Sequence, residues 1–244
     1  MRRRAGSGII PRHLRKSVRV WRTRANPQGE TIMKILFQGD SVTDCGRGNS
    51  GGCGYEQGVM GPGYPGLVKS RLMCDRPLDG FEFVNLGISG NRVVDLYARW
   101  RADCINHAPD VVSILIGVND SWHEQHKNGV EVPRYARIYN ELLDWTVEKL
   151  PAVKFILLEP FTGTGSDNGN LFGAEVRERG AVVKAAAERL GPARAVFVPL
   201  QSILDAASAG PGWRHWTHDG VHLTPAGHQL VADAWLRAAA PFLA

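Results

Sequence analysis

No run of about 18 apolar residues occurs anywhere in the 244-residue sequence, so nothing in it reads as a membrane-crossing helix. Cysteine is scarce. Cys45, Cys53, Cys74 and Cys104 form no C-x-x-C pair, and a chain of this length needs no disulfide staples. Reduced thiols in a cytoplasmic protein are the expectation, with a Cys45–Cys53 bridge the open alternative. Neither G-x-x-x-x-G-K-[ST] nor a G-x-G-x-x-G that follows a strand and opens a helix is present, so the glycines at 46–54 do not read as a nucleotide-binding loop. Behind the Arg-rich beginning there is no apolar run and no A-x-A site, so a secretory signal is not expected.

The net charge of +5 is unevenly placed. Residues 1–32 hold nine Lys/Arg against one acid, Glu30, which leaves about −3 for residues 33–244. A basic tail on a mildly acidic body, with no basic stripe through that body, does not point to nucleic acid. Residues 1–32 are read as a disordered basic extension and 33–244 as one domain. A hydrophobic content of 43% is enough to fill its core.

From Met33 onward short apolar runs alternate with helical patterns. Strands are predicted at MKILFQ (from Met33), Phe81–Leu86, Val111–Ile116, 153–158 and 195–198. Helices are predicted at 64–74, 92–107, 134–149, 171–190 and from Thr224 to Ala240, with Thr224 as cap and Pro225 first in the helix. Residues 44–63 hold eight glycines and no period, and read as loop. Short, wholly apolar strands separated by helices imply an α/β fold with a parallel sheet covered on both faces. Ligands of such sheets bind at the carboxyl ends of the strands. Three of those ends here are polar: Gly39-Asp40-Ser41, Asn85 through Asn91, and Gly117-Val118-Asn119-Asp120.

Ser41 ends a buried strand and precedes the glycine-rich loop. A serine hydroxyl becomes a nucleophile only with a base in reach and donors for the oxyanion it creates. The base candidate is His222, three residues after Asp219, an offset that sets both side chains on one side of a turn. The carboxylate can then hold one imidazole nitrogen and leave the other for Ser41. Asn119 offers a side-chain amide. Gly90 offers a backbone N–H at a position where a Cβ is expected to block close approach. Each residue alone suits a cap or a turn; four of them on one rim form a site.

Two other functional classes fit part of the pattern. His215, His218, Asp219 and His222, with the pair His123/His126, have spacings a catalytic zinc could use. That reading leaves Ser41, Gly90 and Asn119 without work, and no metal is expected. A non-catalytic binding module is disfavoured because none of the site positions is lost.

The blocks GDSVTD (39–44), NLGISGN (85–91), GVND (117–120) and DGVH (219–222) resemble the four motifs of the SGNH hydrolases, also called GDSL esterases/lipases, in that family's order. The resemblance covers about residues 33–244. It implies a three-layer α/β/α sandwich with a five-stranded parallel sheet of flavodoxin type, and no cofactor. It further implies Ser41 as nucleophile, Asp219 and His222 completing a triad, and an oxyanion hole of Ser41 N–H, Gly90 N–H and the Asn119 side chain. GDSVTDCGR, SGNRVVDLYARWRAD, PDVVSILIGVNDSW and DGVHLTPAGH are similar to the intracellular bacterial branch that includes acetylxylan esterases. That likeness implies a small-molecule ester substrate, an acetylated sugar such as a xylo-oligosaccharide; the same framework also hosts thioesterases and lysophospholipases. Trp122 and Trp216 flank the Asn119 and Asp219 motifs and are candidate platforms for a sugar ring. No lid segment for a fatty acyl chain is visible, no membrane partner is expected, and a homo-oligomer is left open.

Overall fold

The computed structural model describes residues 32–47 and 59–243. The expected basic extension up to residue 31, most of the glycine-rich loop, and Cys53 lie outside the described residues. Five strands form one parallel sheet: β1 (Ile32–Gly39), β2 (Gly80–Asn85), β3 (Val111–Leu115), β4 (Lys154–Leu158) and β5 (Ala195–Val198), in the order β2-β1-β3-β4-β5. Register pairs Phe37 with Asn85 and Gly39 with Leu115. The carboxyl ends of β1, β2 and β3 therefore finish side by side, where the three polar motifs begin.

Alternation along the strands divides the core in two. Ile35 and Phe37 point to the face covered by Tyr64 and Val68 of α2 (Tyr64–Asp75) and by Val231 and Trp235 of α8 (Pro225–Ala239). Leu36, Val112, Ile114 and Phe155 point to the other face. There they meet Leu96 and Trp100 of α3 (Val93–Asp103), Tyr139 and Leu142 of α5 (Val132–Lys149), and Val183 of α6 (Asp167–Leu190). This is the expected three-layer α/β/α sandwich. The two fully buried tryptophans are satisfied: Trp235 Nε1 donates to Ser113 Oγ at 2.9 Å and Trp100 Nε1 to Thr146 Oγ1 at 2.8 Å.

The predicted strands agree with the observed ones to within a residue or two at each end. α8 starts as expected, with Pro225 first and the Thr224 hydroxyl accepting from Gly227 N–H. Three helices were not expected. α1 (Ser41–Asp44) and α4 (Val118–Trp122), four and five residues long, are too short to carry a period. α7 (Leu200–Ser208) follows β5 across the single residue Pro199. α6 begins four residues before its predicted start. The Ser166 hydroxyl caps it by accepting from Gly169 N–H, so the polar run DNGN is helical rather than loop. No helix among the described residues is long and apolar enough to cross a membrane.

Candidate active site

β1 ends at Gly39 because nothing larger fits. A Cβ there would lie 2.3 Å from Thr43 Oγ1 and 2.4 Å from the Leu115 carbonyl oxygen. The chain can then turn sharply into α1 with Asp40 as its cap, the carboxylate accepting Val42 N–H at 3.0 Å. Burial pushes the Asp40 carboxyl up to about 7, although the Val42 hydrogen bond and the nearby His222 pull it back. Ser41 is the first residue of α1, on the carboxyl rim of the sheet.

His222 reaches this serine from the far end of the chain. Its Nε2 lies 2.9 Å from Ser41 Oγ, across 181 residues of sequence. Residues 217–223 form a tight turn closed by an isolated bridge between Thr217 and Leu223. Asp219 organises it: Oδ1 accepts the backbone N–H of Val221 at 2.9 Å and of His222 at 2.8 Å, while Oδ2 lies 2.7 Å from His222 Nδ1. A carboxylate only accepts, so Nδ1 carries the ring proton and Nε2 is left as an acceptor for the Ser41 hydroxyl. Partial burial raises the Asp219 carboxyl, but the hydrogen bonds from His222 and Val221 outweigh it and hold the group below the usual carboxylate range. The turn is anchored from α6, where Asn168 Nδ2 donates to the Asp219 carbonyl at 2.9 Å, and from Gly163, whose N–H donates to the Gly220 carbonyl at 2.6 Å.

The other two motifs face the same rim. Asn85 is buried; its amide donates to the Thr43 and Met60 carbonyls and its oxygen accepts Gly87 N–H, binding the end of β2 to the segment after Ser41. Gly90 has φ +82°, and a Cβ there would meet nothing within 4 Å. Glycine suits that left-handed backbone, and the space where a Cβ would stand is left open. Asn119 is buried on α4 and donates one amide hydrogen to the Asn91 carbonyl at 3.1 Å. That bond orients the amide plane and leaves its second hydrogen unused by that contact.

Trp122 packs beside the base, its ring centroid 5.9 Å from that of His222 and 5.6 Å from that of Phe172. Trp216 packs against the core beside α8, edge-on to His215 at 4.7 Å, and its carbonyl accepts Thr224 N–H. Among the described residues no group of three His, Cys, Asp or Glu side chains is placed to hold a metal ion. His222 and Asp219 are instead bound to each other.

Several residues around the site were not picked out from the sequence. Asp44 accepts the N–H and hydroxyl of Ser89 at 3.1 and 2.9 Å, closing the rim between α1 and the Gly90 turn. His228, on the first turn of α8, accepts Tyr64 N–H at Nδ1 and approaches Cys45 Sγ at 3.3 Å through Nε2. Because Nδ1 accepts, Nε2 carries the proton and donates to the sulfur. That pair therefore lacks the free base a thiol nucleophile would need, and burial together with Asp44 raises the Cys45 thiol. Cys45, Cys74 and Cys104 are free.

The profile of the GDSL-like lipase/acylhydrolase family matches residues 37–230. An acetylxylan esterase of Geobacillus stearothermophilus is 37% identical over 212 residues, covering 84% of this chain and 92% of that one. The crystal structure of Axe2, an acetylxylan esterase from the same organism, aligns with a TM-score of 0.73 at 36% identity, covering 84% of this chain and 93% of the other. A GDSL-like lipase from Parabacteroides merdae aligns with a TM-score of 0.78 at 38% identity, over 86% and 97% of the two chains. LAE5, an α/β hydrolase from the metagenome of Lake Arreo, aligns with a TM-score of 0.75 at 32% identity, over 85% and 95%.

Proposed function

The chain belongs to the GDSL-like lipase/acylhydrolase family of carboxylic ester hydrolases, and from that premise we propose that Ser41, His222 and Asp219 hydrolyse short acyl esters, acetyl esters of carbohydrates foremost, through an acyl-enzyme. The observation that carries this reading is the unbroken hydrogen-bonded path from Ser41 Oγ through the His222 ring to Asp219 Oδ2, at 2.9 and 2.7 Å.

In the first step Ser41 Oγ attacks the acyl carbonyl carbon while His222 Nε2 takes the hydroxyl proton. The carbonyl electron pair moves onto oxygen, and that oxyanion is held by Ser41 N–H, Gly90 N–H and the second amide hydrogen of Asn119. The intermediate collapses, the bond to the alcohol breaks, and His222 returns the proton to the departing oxygen. Water then repeats the sequence against the acyl-enzyme and frees the acid. Asp219 stays ionised throughout, holding Nδ1–H and stabilising the transient imidazolium.

The acetyl-carbohydrate preference is supported by the acetylxylan esterase relatives, which cover most of both chains. Trp122, beside His222, is assigned to the wall of the alcohol pocket, with Trp216 as the second candidate platform. The free thiols support a reducing, cytoplasmic setting. The test is an activity panel of p-nitrophenyl acetate, butyrate and octanoate beside acetylated xylo-oligosaccharide and an acyl-CoA. Turnover of the acetyl esters, lost in Ser41→Ala, is expected. Preference for octanoate or the thioester would overturn the substrate class, and Ser41→Ala activity within tenfold of the parent would overturn the site.

A further inference from the structure

Both oxyanion donors outside Ser41 sit on short segments that could drift: Gly90 in a turn with a left-handed residue, Asn119 on a helix of five residues. Donors of this kind work only if they lie within a few tenths of an ångström of the place where charge develops. Something must fix the two segments to each other.

Asp120 is 1% exposed, and its two carboxylate oxygens accept the same N–H, that of Val93, at 3.1 and 3.2 Å. Val93 is the first residue of α3, three positions after Gly90. Next to Asp120, Asn119 donates to the Asn91 carbonyl. Two consecutive side chains of α4 thus grip the 90–93 segment at two points, and two points restrain rotation as well as distance. The local cap of α3 is a separate device, since Arg92 N–H is accepted by Asp95 Oδ2 at 2.8 Å. Asp120 therefore makes a contact between elements 27 residues apart and is not the ordinary cap of that helix.

The far side of Asp120 is braced too. Its carbonyl accepts Val130 N–H at 2.9 Å. Arg179, itself 1% exposed, donates to the Val130 carbonyl and to Ser121 Oγ. Arg92 Nη1 reaches from the Gly90 side to Asn128. Burial pushes the Asp120 carboxyl up to about 7 against the pull of Val93 N–H and Arg179. Either protonation state keeps an oxygen to accept Val93 N–H, so the grip does not depend on charge.

We propose that Asp120 is a positioning residue that locks the Gly90 turn to the Asn119 helix and so presets the distance between two oxyanion donors. The inference rests on the roles assigned above to Ser41, Gly90 and Asn119.

Kinetics of p-nitrophenyl acetate hydrolysis by the full chain test it, each variant being assayed where circular dichroism finds it folded. Asp120→Ala removes the acceptor. Val93→Pro removes the donor, at a helix position that accepts proline and after Arg92, whose backbone is already extended (φ −104°, ψ 174°). Each is expected to lower kcat at least tenfold with KM within threefold. Asp120→Asn, which keeps an acceptor, recovers most of the loss. On an Asn119→Ala background Asp120→Ala costs less than threefold, because the geometry it protects has lost one of its donors. The proposal is overturned if folded Asp120→Ala keeps kcat within twofold, or if its factor is the same on both backgrounds, as a purely structural role would give. Should Asp120→Ala fail to fold, Val93→Pro is judged by the same two criteria. Ser41→Ala, run alongside, separates the failures. If it turns over, the site reading falls; if it is inactive while Asp120→Ala keeps parental kcat, only the positioning role falls.

Discussion

Replacing Asp219 by asparagine removes a charge but few atoms, and the turn decides what the new amide does. Oδ1 accepts two backbone N–H groups, from Val221 and His222, and Oδ2 serves one ring nitrogen. The asparagine oxygen can keep the two backbone bonds or face the ring, not both. Two neutral hydrogen bonds at about 1 kcal/mol each outweigh one, so the oxygen stays on the backbone and the NH2 turns to His222. An NH2 there donates, which makes Nδ1 the acceptor and moves the ring proton to Nε2. Nε2 then points a hydrogen at Ser41 Oγ and cannot take its proton. The loss of charge matters less, because the Asp219 and His222 side chains are 39% and 43% exposed and their attraction is screened. The expected effect of Asp219→Asn is a fall in kcat of roughly 10³-fold, about 4 kcal/mol of barrier, with KM little changed. The measurement is steady-state hydrolysis of p-nitrophenyl acetate, with a thermal melt to confirm an intact fold. A loss below tenfold in a folded variant would refute the tautomer argument and the place of Asp219 in the site.

Two further outcomes are expected. Asn119→Ala removes one oxyanion donor and should cost roughly 10²–10³ in kcat; an unchanged kcat would take Asn119 out of the site. Stability should also depend on pH in a definite direction. Asp40 and Asp120, each pushed up to about 7 chiefly by burial, hold protons more tightly folded than unfolded, so their contribution declines as pH rises from about 4 through about 7. His228, pushed down to about 4 by burial, acts in reverse and costs stability as pH falls from about 6.5 toward 4. Two groups against one give a melting temperature higher at pH 6 than at pH 8 by calorimetry or circular dichroism. A rise across that interval would mean that the two carboxyls are not protonated in the folded chain.

Much of this molecule is legible in one dimension because its core is made of uniform pieces. The strands around Leu36, Val112 and Phe155 are apolar on both faces, and that pattern alone asks for helices on both sides. Three of the four motifs begin where an apolar strand ends, and it is their convergence with the Asp219–His222 pair, more than any one residue, that reads as a site. What stayed hidden has physical causes. α1 and α4 are shorter than two turns, and α6 starts in a polar run that only its Ser166 cap makes helical. The grip of Asp120 on Val93 and that of Asn168 on Asp219 join residues 27 and 51 positions apart, and no local pattern announces them. The left-handed φ of Gly90 is likewise a property of the folded turn, with no signature in the chain beyond the glycine itself.

The two halves of the site are held by different means, and the difference bears on how each responds to change. Asp219 and His222 stand partly in solvent, yet their positions are set almost wholly within a seven-residue turn by Asp219 Oδ1 and Oδ2, with Asn168 and Gly163 as outside anchors. Chemistry there can be altered with little consequence for the core, so Asp219→Asn is expected to stay folded while it loses turnover. Asn119 and Asp120 are buried, and their partners come from distant segments that also seat α3 and the loop at Val130. The oxyanion side has spent part of the fold's own hydrogen bonding on its geometry, and an acceptor lost at Asp120 strands a buried donor. Changes on that side should therefore reach turnover and stability together, and a kinetic split and a double-variant cycle are needed there to tell the two apart.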